Sequence, residues 1–240
     1  MRNLIIFGIF VVALVMVQFA QAQTIEEVLD KYAKALGGKD KLLALSSLYL
    51  EGVSVMNGNE VTSKTTKVQD KLFRSELNFG MGSMVMVITP EKGWRSNPRN
   101  GGAFEAMTEE ALKGSLYQMD CVGPLFNFMA KGHKAELQGK ESVEGNDCYK
   151  IKLTTSSGKD IYYWINSKTY LIDQSSQKGG GRGGDVEMIT LYRDYHEVDG
   201  IMFPFTSEVK SSGGGFGNGT MNFEKIELNK PVDAKLYKAE

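Results

Sequence analysis

Histidine and cysteine are scarce in this chain of 240 residues, which contains two of each. A catalytic zinc site usually draws on three protein ligands, often two or more of them histidine, and the sequence has no H-E-x-x-H motif. No G-x-S-x-G motif occurs either, and a serine nucleophile would have only His133 and His196 to act as its base. We therefore expect no metal, no cofactor and no enzymatic activity.

The chain also lacks an excess of charge of either sign. It has 28 lysines and arginines against 29 aspartates and glutamates, and no basic block. Because nucleic-acid-binding domains usually carry a basic patch, we expect no nucleic acid among the partners. The glycine run Gly179 to Gly184 includes Arg182, but it lacks the G-K-[ST] ending and the following helix of a phosphate-binding loop. We interpret it, like the run Gly213 to Gly219, as a hairpin loop.

The apolar run at the amino terminus is too short for a membrane-spanning helix. It extends from Leu4 to Val17, which is 14 residues, whereas a span needs about 18 or more. Arg2 precedes the run, and Ala20-Gln21-Ala22 follows it as a small-x-small cleavage site. We interpret residues 1–22 as a secretory signal peptide and expect residues 23–240 to form a single domain.

The two cysteines, Cys121 and Cys148, would then enter an oxidising compartment. A disulfide between them and two separately buried thiols are both compatible with the sequence, since the required geometry cannot be read from it.

The mature chain begins with a strong helix signal. Thr24 and Glu27 have the spacing of a capping box, and Gly37-Gly38 can take the left-handed conformation that ends a helix. Apolar residues between them recur on one helical face: Ile25, Val28, Leu29, Tyr32 and Leu36. We predict an amphipathic helix, followed by a short second helix and then a sheet against which the apolar face is buried.

Most of the remaining sequence alternates as β-strands do. Three strands are predicted from Leu48 to Phe79, with turns at Asn57-Gly58 and near Asp70. Met84 to Thr89 is apolar on both faces, as expected for a strand covered on both sides. The last strand changes phase between Phe223 and Ile226, which predicts a bulge.

A helical pair is predicted to interrupt the strands from Thr108 to Ala130. Thr108 can cap the first helix, and Pro124 can begin the second. Methionine and aromatic residues cluster on this pair and on strands that are apolar on both faces. Methionine suits a cavity for flexible acyl chains, although the same residues also fill ordinary cores. The candidate cavity residues are Met84, Met86, Phe104, Leu116, Met119, Phe126, Phe128, Met129 and Trp164.

Several short motifs, in order along the chain, resemble those of the outer-membrane lipoprotein-sorting protein family (LolA/LolB-like). The opening helix ends in Ala35-Leu36-Gly37-Gly38, and a tryptophan-to-proline strand end lies at Gly93 to Pro98. Trp164 to Ile172 is similar to the W-I-D-x-x-T-x-L hairpin of that family. Leu48 to Gly52 resembles its first strand, and Tyr192 to Phe205 and Phe223 to Tyr237 resemble its closing hairpin and tail.

The resemblance implies a mainly β fold: a strongly curved antiparallel sheet, an unclosed β-barrel, with an N-terminal helix and a mid-chain helical lid. It also implies a hydrophobic cavity and a periplasmic location. In that family an arginine on an early strand contacts the lid, and Arg74 has a comparable place.

We therefore expect a soluble, monomeric periplasmic carrier or binding protein for lipid, lipoprotein acyl chains or other hydrophobic ligands, with envelope transport proteins as further partners. The alternative is a non-catalytic envelope interaction module with the same fold and a solid core.

Overall fold

The computed structural model describes residues 23–56, 59–98, 101–181, 184–212 and 218–239. The predicted signal peptide and the predicted turn at Asn57-Gly58 lie outside these residues. So do the tips of the two glycine runs, at residues 182–183 and 213–217.

One antiparallel sheet of thirteen strands forms the framework and does not close into a barrel, which confirms the predicted fold class. Its spatial order is β6-β5-β4-β3-β2-β1-β13-β12-β11-β10-β9-β8-β7, so two meanders join where the first strand pairs with the last. The strands are β1 (Ser47–Met56), β2 (Asn59–Val68), β3 (Leu72–Asn78), β4 (Ser83–Ile88), β5 (Gly93–Ser96), β6 (Phe104–Ala106), β7 (Lys134–Val143), β8 (Asn146–Thr154), β9 (Asp160–Asn166), β10 (Ile172–Gly181), β11 (Gly184–Val198), β12 (Ile201–Ser211) and β13 (Gly219–Leu228).

The two faces of the sheet bury different sets of side chains. Alternate residues of β8 and β9, including Ile151, Ile161 and Tyr163, pack in the main core with the N-terminal helix. We call this face the inner face. The intervening residues Cys148 and Trp164 belong to a smaller cluster on the other side, which we call the outer face. This separation follows from the two-residue period of strands.

The helices α1 (Ile25–Ala35) and α2 (Lys39–Leu43) cover part of the inner face. The backbone N–H of Glu27 donates to Oγ1 of Thr24 at 3.3 Å, which confirms the predicted N-cap. The predicted apolar face is also confirmed, because Val28 and Tyr32 are buried and Leu29 packs beside them. The amphipathic pattern therefore determines which side of α1 meets the sheet.

Gly37 allows the end of α1 to touch the turn between β11 and β12. A Cβ atom at Gly37 would lie 2.2 Å from the carbonyl oxygen of Gly200. Next to this contact, the backbone N–H of Met202 donates to the carbonyl of Leu36 at 2.9 Å. The glycine therefore serves a close backbone approach as well as the helix end.

The mid-chain segment is less helical than its pattern indicates. It contains one short α-helix, α3 (Glu109–Lys113), capped by Thr108 as predicted. Two 3₁₀ turns, Leu116–Met119 and Phe128–Lys131, take the place of a longer helical pair. Residues 124–127 form a turn, and positive φ at Gly123, Asn127 and Gly132 interrupts any longer helix. We call residues 115–131 the strap.

Two further predictions on the strands have different outcomes. The bulge in the last strand is confirmed, since Glu51 pairs with Lys225 and Gly52 with Phe223, which leaves Glu224 unpaired in the register. The expectation that β4 is covered on both faces is wrong, because Met84 is exposed and only Val87 and Ile88 are buried. β4 lies near the β6 edge of the sheet, far in strand order from the meander that carries most of the main core.

Candidate functional site

A cavity of about 300 Å³ lies between the helices, the strap and the inner face of β9 to β12. Its apolar wall includes Leu36 and Leu42 from the helices, Leu125 from the strap, and Ile161 and Ile201 from the sheet. These side chains are buried. The volume lies at the small end of the range for ligand pockets in proteins, which is roughly 300–1,000 Å³.

Five tyrosines give the same cavity a polar component: Tyr32, Tyr117, Tyr163, Tyr192 and Tyr195. Three of their hydroxyls have partners. Tyr117 donates to Oε1 of Gln177 at 2.9 Å, Tyr195 donates to the carbonyl of Ile172 at 2.9 Å, and the hydroxyls of Tyr192 and Ser175 are 3.0 Å apart. The wall of the cavity is therefore amphipathic.

The remaining two tyrosines, Tyr32 and Tyr163, are 4% and 8% exposed, and their hydroxyls make no hydrogen bond with any described residue. Burial raises the pKa of both phenols, and it also raises the pKa of Tyr192 and Tyr195. These hydroxyls therefore stay protonated and can donate hydrogen bonds. Neither hydroxyl is among the fully buried polar atoms that lack a partner, so each can donate to a molecule in the adjoining space, and a ligand that accepts from it gains affinity.

The strap is attached to the β2–β3 turn and to β10 by hydrogen bonds. The backbone N–H of Cys121 donates to Oε1 of Gln69, and Nζ of Lys67 donates to the carbonyl of Asp120, each at 2.9 Å. Three residues before Asp120, the Tyr117–Gln177 bond joins the strap to β10. Cys121, Leu125 and Phe126 of the strap also pack in the main core, so hydrogen bonds and buried apolar contacts together hold the strap over the cavity.

Charged groups are concentrated where the strap crosses β2. Asp120 is buried, its carboxylate forms an ion pair with Lys131, and its Oδ1 accepts the backbone N–H groups of Val122 and Gly123. Lys67 lines the cavity nearby, and desolvation lowers the pKa of its ammonium group.

A second recess, of about 380 Å³, lies between α1 and the strap. Its apolar lining includes Leu29 on α1 and Phe126 and Phe128 on the strap. Tyr32 and Leu125 line both spaces, so these two side chains form the partition between the recess and the cavity.

The described residues contain no helix long and apolar enough to cross a membrane. Within the same residues, no group of three or more His, Cys, Asp or Glu side chains is arranged to hold a metal ion.

No protein-family model matches this sequence, and no curated protein matches it significantly. Solved structures do match the fold. A LolA superfamily protein from Nitrosomonas europaea aligns with a TM-score of 0.59 and 11% identity, covering 90% of this chain and 99% of the other. The fold is LolA/LolB-like.

Two further solved structures also match this fold. A DUF1329 family protein from Desulfovibrio piger aligns with a TM-score of 0.57 and 14% identity, over 90% of this chain and 98% of that one. An outer membrane lipoprotein-sorting protein domain from Vibrio parahaemolyticus aligns with a TM-score of 0.55 and 9% identity, over 88% and 94%. Identities this low establish the LolA/LolB-like fold alone, so function has to be argued from the site.

The predicted cavity residues occupy different parts of this LolA/LolB-like fold. Phe126, Phe128 and Met129 line the second recess, so their role in binding stays a prediction. Met119 is buried and Leu116 is partly buried in the strap. Neither of these two residues lines the cavity or the second recess.

Four of the predicted cavity residues lie away from both spaces. Met84 and Met86 are on β4, and Phe104 is on β6, at one edge of the sheet. Trp164 is on the outer face, where its Nε1 donates to Oε2 of Glu141 at 2.9 Å. A role of these four residues in ligand binding therefore stays a prediction. For Trp164, the strand period directs Tyr163 to the cavity and its neighbour away from it.

The guanidinium of Arg74 donates to the carbonyl of Lys238 at 3.0 Å and approaches that of Leu236 at 3.5 Å, so it holds the C-terminal segment to β3. A contact of Arg74 with the lid stays a prediction. In the described residues, Lys67 and Gln69 make the connection from this part of the sheet to the strap.

Cys121 and Cys148 are two separately buried free thiols and form no disulfide with each other. Cys121 lies in the main core and Cys148 in the cluster on the outer face. Burial raises the pKa of each thiol to about 12, and both therefore remain protonated near neutral pH.

Sequence reasoning missed the tyrosines that line the cavity. The segment Ile161 to Ile165 is apolar in both phases, so alternation could not tell which of Tyr163 and Trp164 faces inward. For Tyr192 and Tyr195, Asp194 between them has positive φ and is left out of the β11–β12 pairing. The register on either side is unchanged, so the positive φ of Asp194 interrupts the alternation without a bulge, and two residues three positions apart line the same cavity.

Proposed function

We propose that this protein is a non-catalytic periplasmic carrier or binding protein for a lipid, a lipoprotein acyl chain or another apolar ligand. The observation that carries the proposal is the cavity beneath the strap, whose wall combines buried leucine and isoleucine side chains with a few hydroxyl groups. Each methylene group transferred from water to such a wall contributes about 0.8 kcal/mol, so one alkyl chain is enough for stable binding.

The arrangement of the strap supports reversible binding. A few hydrogen bonds attach it to the sheet, and each such bond contributes on the order of 1 kcal/mol. Leu125, which belongs to the strap, separates the cavity from the second recess. Movement of the strap would therefore open a path for the ligand, and because it would also remove Cys121, Leu125 and Phe126 from the main core, the open strap is the minor state.

The proposal can be tested with N-phenyl-1-naphthylamine, an uncharged apolar fluorophore. We expect saturable binding of the dye to the wild type and displacement by long-chain lipids. Ser175 and Gln174 are neighbours on β10, and only Ser175 lines the cavity. Ser175→Leu should fill the space and abolish dye binding, while Gln174→Leu should retain it, with both variants folded by circular dichroism.

Two results would count against the carrier. If the wild type binds neither the dye nor any long-chain lipid, the interaction module with the same fold becomes the better description. If both variants bind the dye as the wild type does, the ligand site lies elsewhere on the molecule. Native mass spectrometry of protein purified from the periplasm gives a second readout, because a carrier is expected to retain its ligand.

A further inference from the structure

The charged groups under the strap do not balance. Lys67 and Lys131 each contribute a positive charge, and Asp120 supplies the one buried carboxylate between them. Asp70 is at the exposed turn, and its carboxylate accepts from the side chain of Gln69. Desolvation and the nearby charge of Lys131 lower the pKa of His133. Its imidazole therefore stays neutral near pH 7. With both lysines protonated, the cluster carries one excess positive charge; burial lowers the pKa of Lys67, and a bound anion beside its ammonium group would oppose that effect.

The excess charge lies on the side of the cavity. All three N–H donors of Lys131 have partners, since Nζ pairs with the Asp120 carboxylate and donates to the carbonyls of Gly123 and Phe126. Lys67 makes one hydrogen bond among the described residues, to the carbonyl of Asp120, and its Nζ is 5.9 Å from the ring centroid of Phe73. An ammonium group has three N–H donors, so Lys67 has donor capacity left, and it lines the cavity.

Tyr32 and Tyr163 line the same cavity, and both residues are more than nine-tenths buried. Like Lys67, they can donate, and they make no hydrogen bond with the described part of the chain. Three donors and one uncompensated positive charge thus surround a space whose other walls are apolar. A group that carries negative charge and accepts hydrogen bonds suits such a wall better than a bare alkyl chain, which offers no acceptor.

We propose that the cavity binds the anionic head group of a single-chain amphiphile, with a carboxylate such as that of a fatty acid placed between Lys67 and the hydroxyls of Tyr32 and Tyr163. This inference rests on the proposed carrier function and specifies the class of ligand. The volume of about 300 Å³ favours one alkyl chain over the two chains of a diacyl lipid. The second recess, which adjoins the cavity at Tyr32 and Leu125, provides further apolar surface for the chain.

The head-group preference can be measured on the wild-type protein. N-phenyl-1-naphthylamine is bound first and then displaced with dodecanoic acid, dodecan-1-ol or dodecyltrimethylammonium, which share one chain and differ in the charge of the head. We expect the acid to displace the dye at a concentration about tenfold lower than the alcohol, since a charge-assisted hydrogen bond replaces a neutral one. The cationic amphiphile should be the weakest competitor.

Dodecyl phosphate distinguishes two sources of an anionic head. Displacement by the acid at a lower concentration than the phosphate supports a carboxylate ligand. The reverse order overturns the carboxylate assignment in favour of a phosphate-bearing lipid.

Lys67→Met removes the charge and keeps an unbranched side chain of similar length. We expect this variant to bind the acid and the alcohol equally, so that the preference for the acid is lost. Lys64→Met is the matched control, because Lys64 is on the same strand, is exposed and pairs with Glu51. It should keep the wild-type preference. If Lys67→Met fails to fold, the displacement series on the wild type still tests the head-group preference. Lys67→Arg keeps the charge and should therefore keep the preference for the acid.

The outcomes separate this inference from the proposed function. Equal displacement by acid and alcohol in the wild type overturns the head-group inference and leaves the carrier intact. Retention of the acid preference in Lys67→Met also overturns it, because a lysine that only fastens the strap would not set selectivity. Failure of the dye and of every amphiphile to bind overturns the carrier itself.

Discussion

Tyr117 in the strap and Gln177 on β10 are joined by a hydrogen bond of 2.9 Å, and both residues line the cavity. Nζ of Lys159 donates to the same hydroxyl at 3.2 Å. The strap therefore reaches the sheet through one side chain at this end, and the cavity lies beneath the connection. If the strap controls access to the cavity, this bond should influence how often the strap opens.

Replacement of Tyr117 by phenylalanine should loosen the strap. The loss of the bond to Gln177 is expected to lower the free energy of unfolding by about 1 kcal/mol. Opening of the strap should become several-fold more frequent, which hydrogen exchange of the amides from Ser115 to Asp120 would report. Tyr162→Phe is the control, because the hydroxyl of Tyr162 has no hydrogen bond within the described chain. Equal exchange in both variants would mean that Tyr117 does not restrain the strap.

Gly37→Ala should be much more destabilising than Gly38→Ala. Both glycines have positive φ, so each alanine costs about 1–2 kcal/mol of backbone strain. Only at Gly37 does the new Cβ meet another backbone atom, 2.2 Å away, whereas nothing lies within 4 Å of it at Gly38. We expect a total loss of about 3 kcal/mol or more for Gly37→Ala, measured by urea unfolding. Similar losses at the two positions would argue against the close approach to Gly200.

Val28→Ala tests whether α1 is fixed to the inner face. Val28 is fully buried, and removal of two methyl groups should cost about 1–3 kcal/mol. Leu43 on α2 is 57% exposed, so Leu43→Ala should change stability by no more than about 0.5 kcal/mol. Thermal unfolding of the two variants side by side gives the comparison. A small effect at Val28 would indicate that α1 can leave the sheet without unfolding it.

The buried tyrosines predict a loss of stability at alkaline pH. In the unfolded chain a tyrosine releases its proton near pH 10. Burial raises the pKa of Tyr32, Tyr163, Tyr192 and Tyr195, so the folded protein holds these protons longer. Their contribution to stability is therefore constant below about pH 10 and falls as the pH rises above it. Lys67 and Tyr170 act in the opposite direction, because their pKa values are lowered. Raised pKa values of Tyr49, Tyr237 and the two thiols act in the same direction as the four tyrosines, so the net effect is a loss of stability.

Urea unfolding between pH 8 and pH 11, together with the absorbance of tyrosinate, measures this effect. The midpoint should fall above about pH 10. A variant with Tyr32→Phe and Tyr163→Phe should show a shallower fall, because the folded and unfolded states then differ by fewer protons. Ionisation of all the tyrosines near pH 10 while the protein remains folded would contradict the burial of these hydroxyls.

Elements specified by local signals were predictable from the sequence. Thr24 as a cap, the apolar face around Val28 and the turn near Asp70 each depend on residues a few positions apart. The LolA/LolB-like fold was accessible in the same way, because its motifs are short and follow one another in order. These features need no knowledge of which strand pairs with which.

The cavity depends on contacts that the local pattern does not contain. Tyr32, Leu125 and Tyr163 come together from a helix, the strap and a strand that are far apart in sequence. The apolar character of Met84 and Trp164 predicted cavity residues, but strand order and strand phase place them elsewhere. Lys67 carried no signal as a single lysine in a polar strand, and only the position of the strap gives it a role.

The central claim is that an alkyl chain lies in the cavity, and photochemical cross-linking tests it directly. A dodecanoic acid with a diazirine on its chain would be bound, irradiated and mapped by peptide mass spectrometry, with unlabelled dodecanoic acid as competitor. The account predicts competed cross-links on α1, on the strap around Leu125 and on inner-face residues such as Tyr163. Cross-links confined to the outer face around Trp164, or none that the competitor removes, would contradict it.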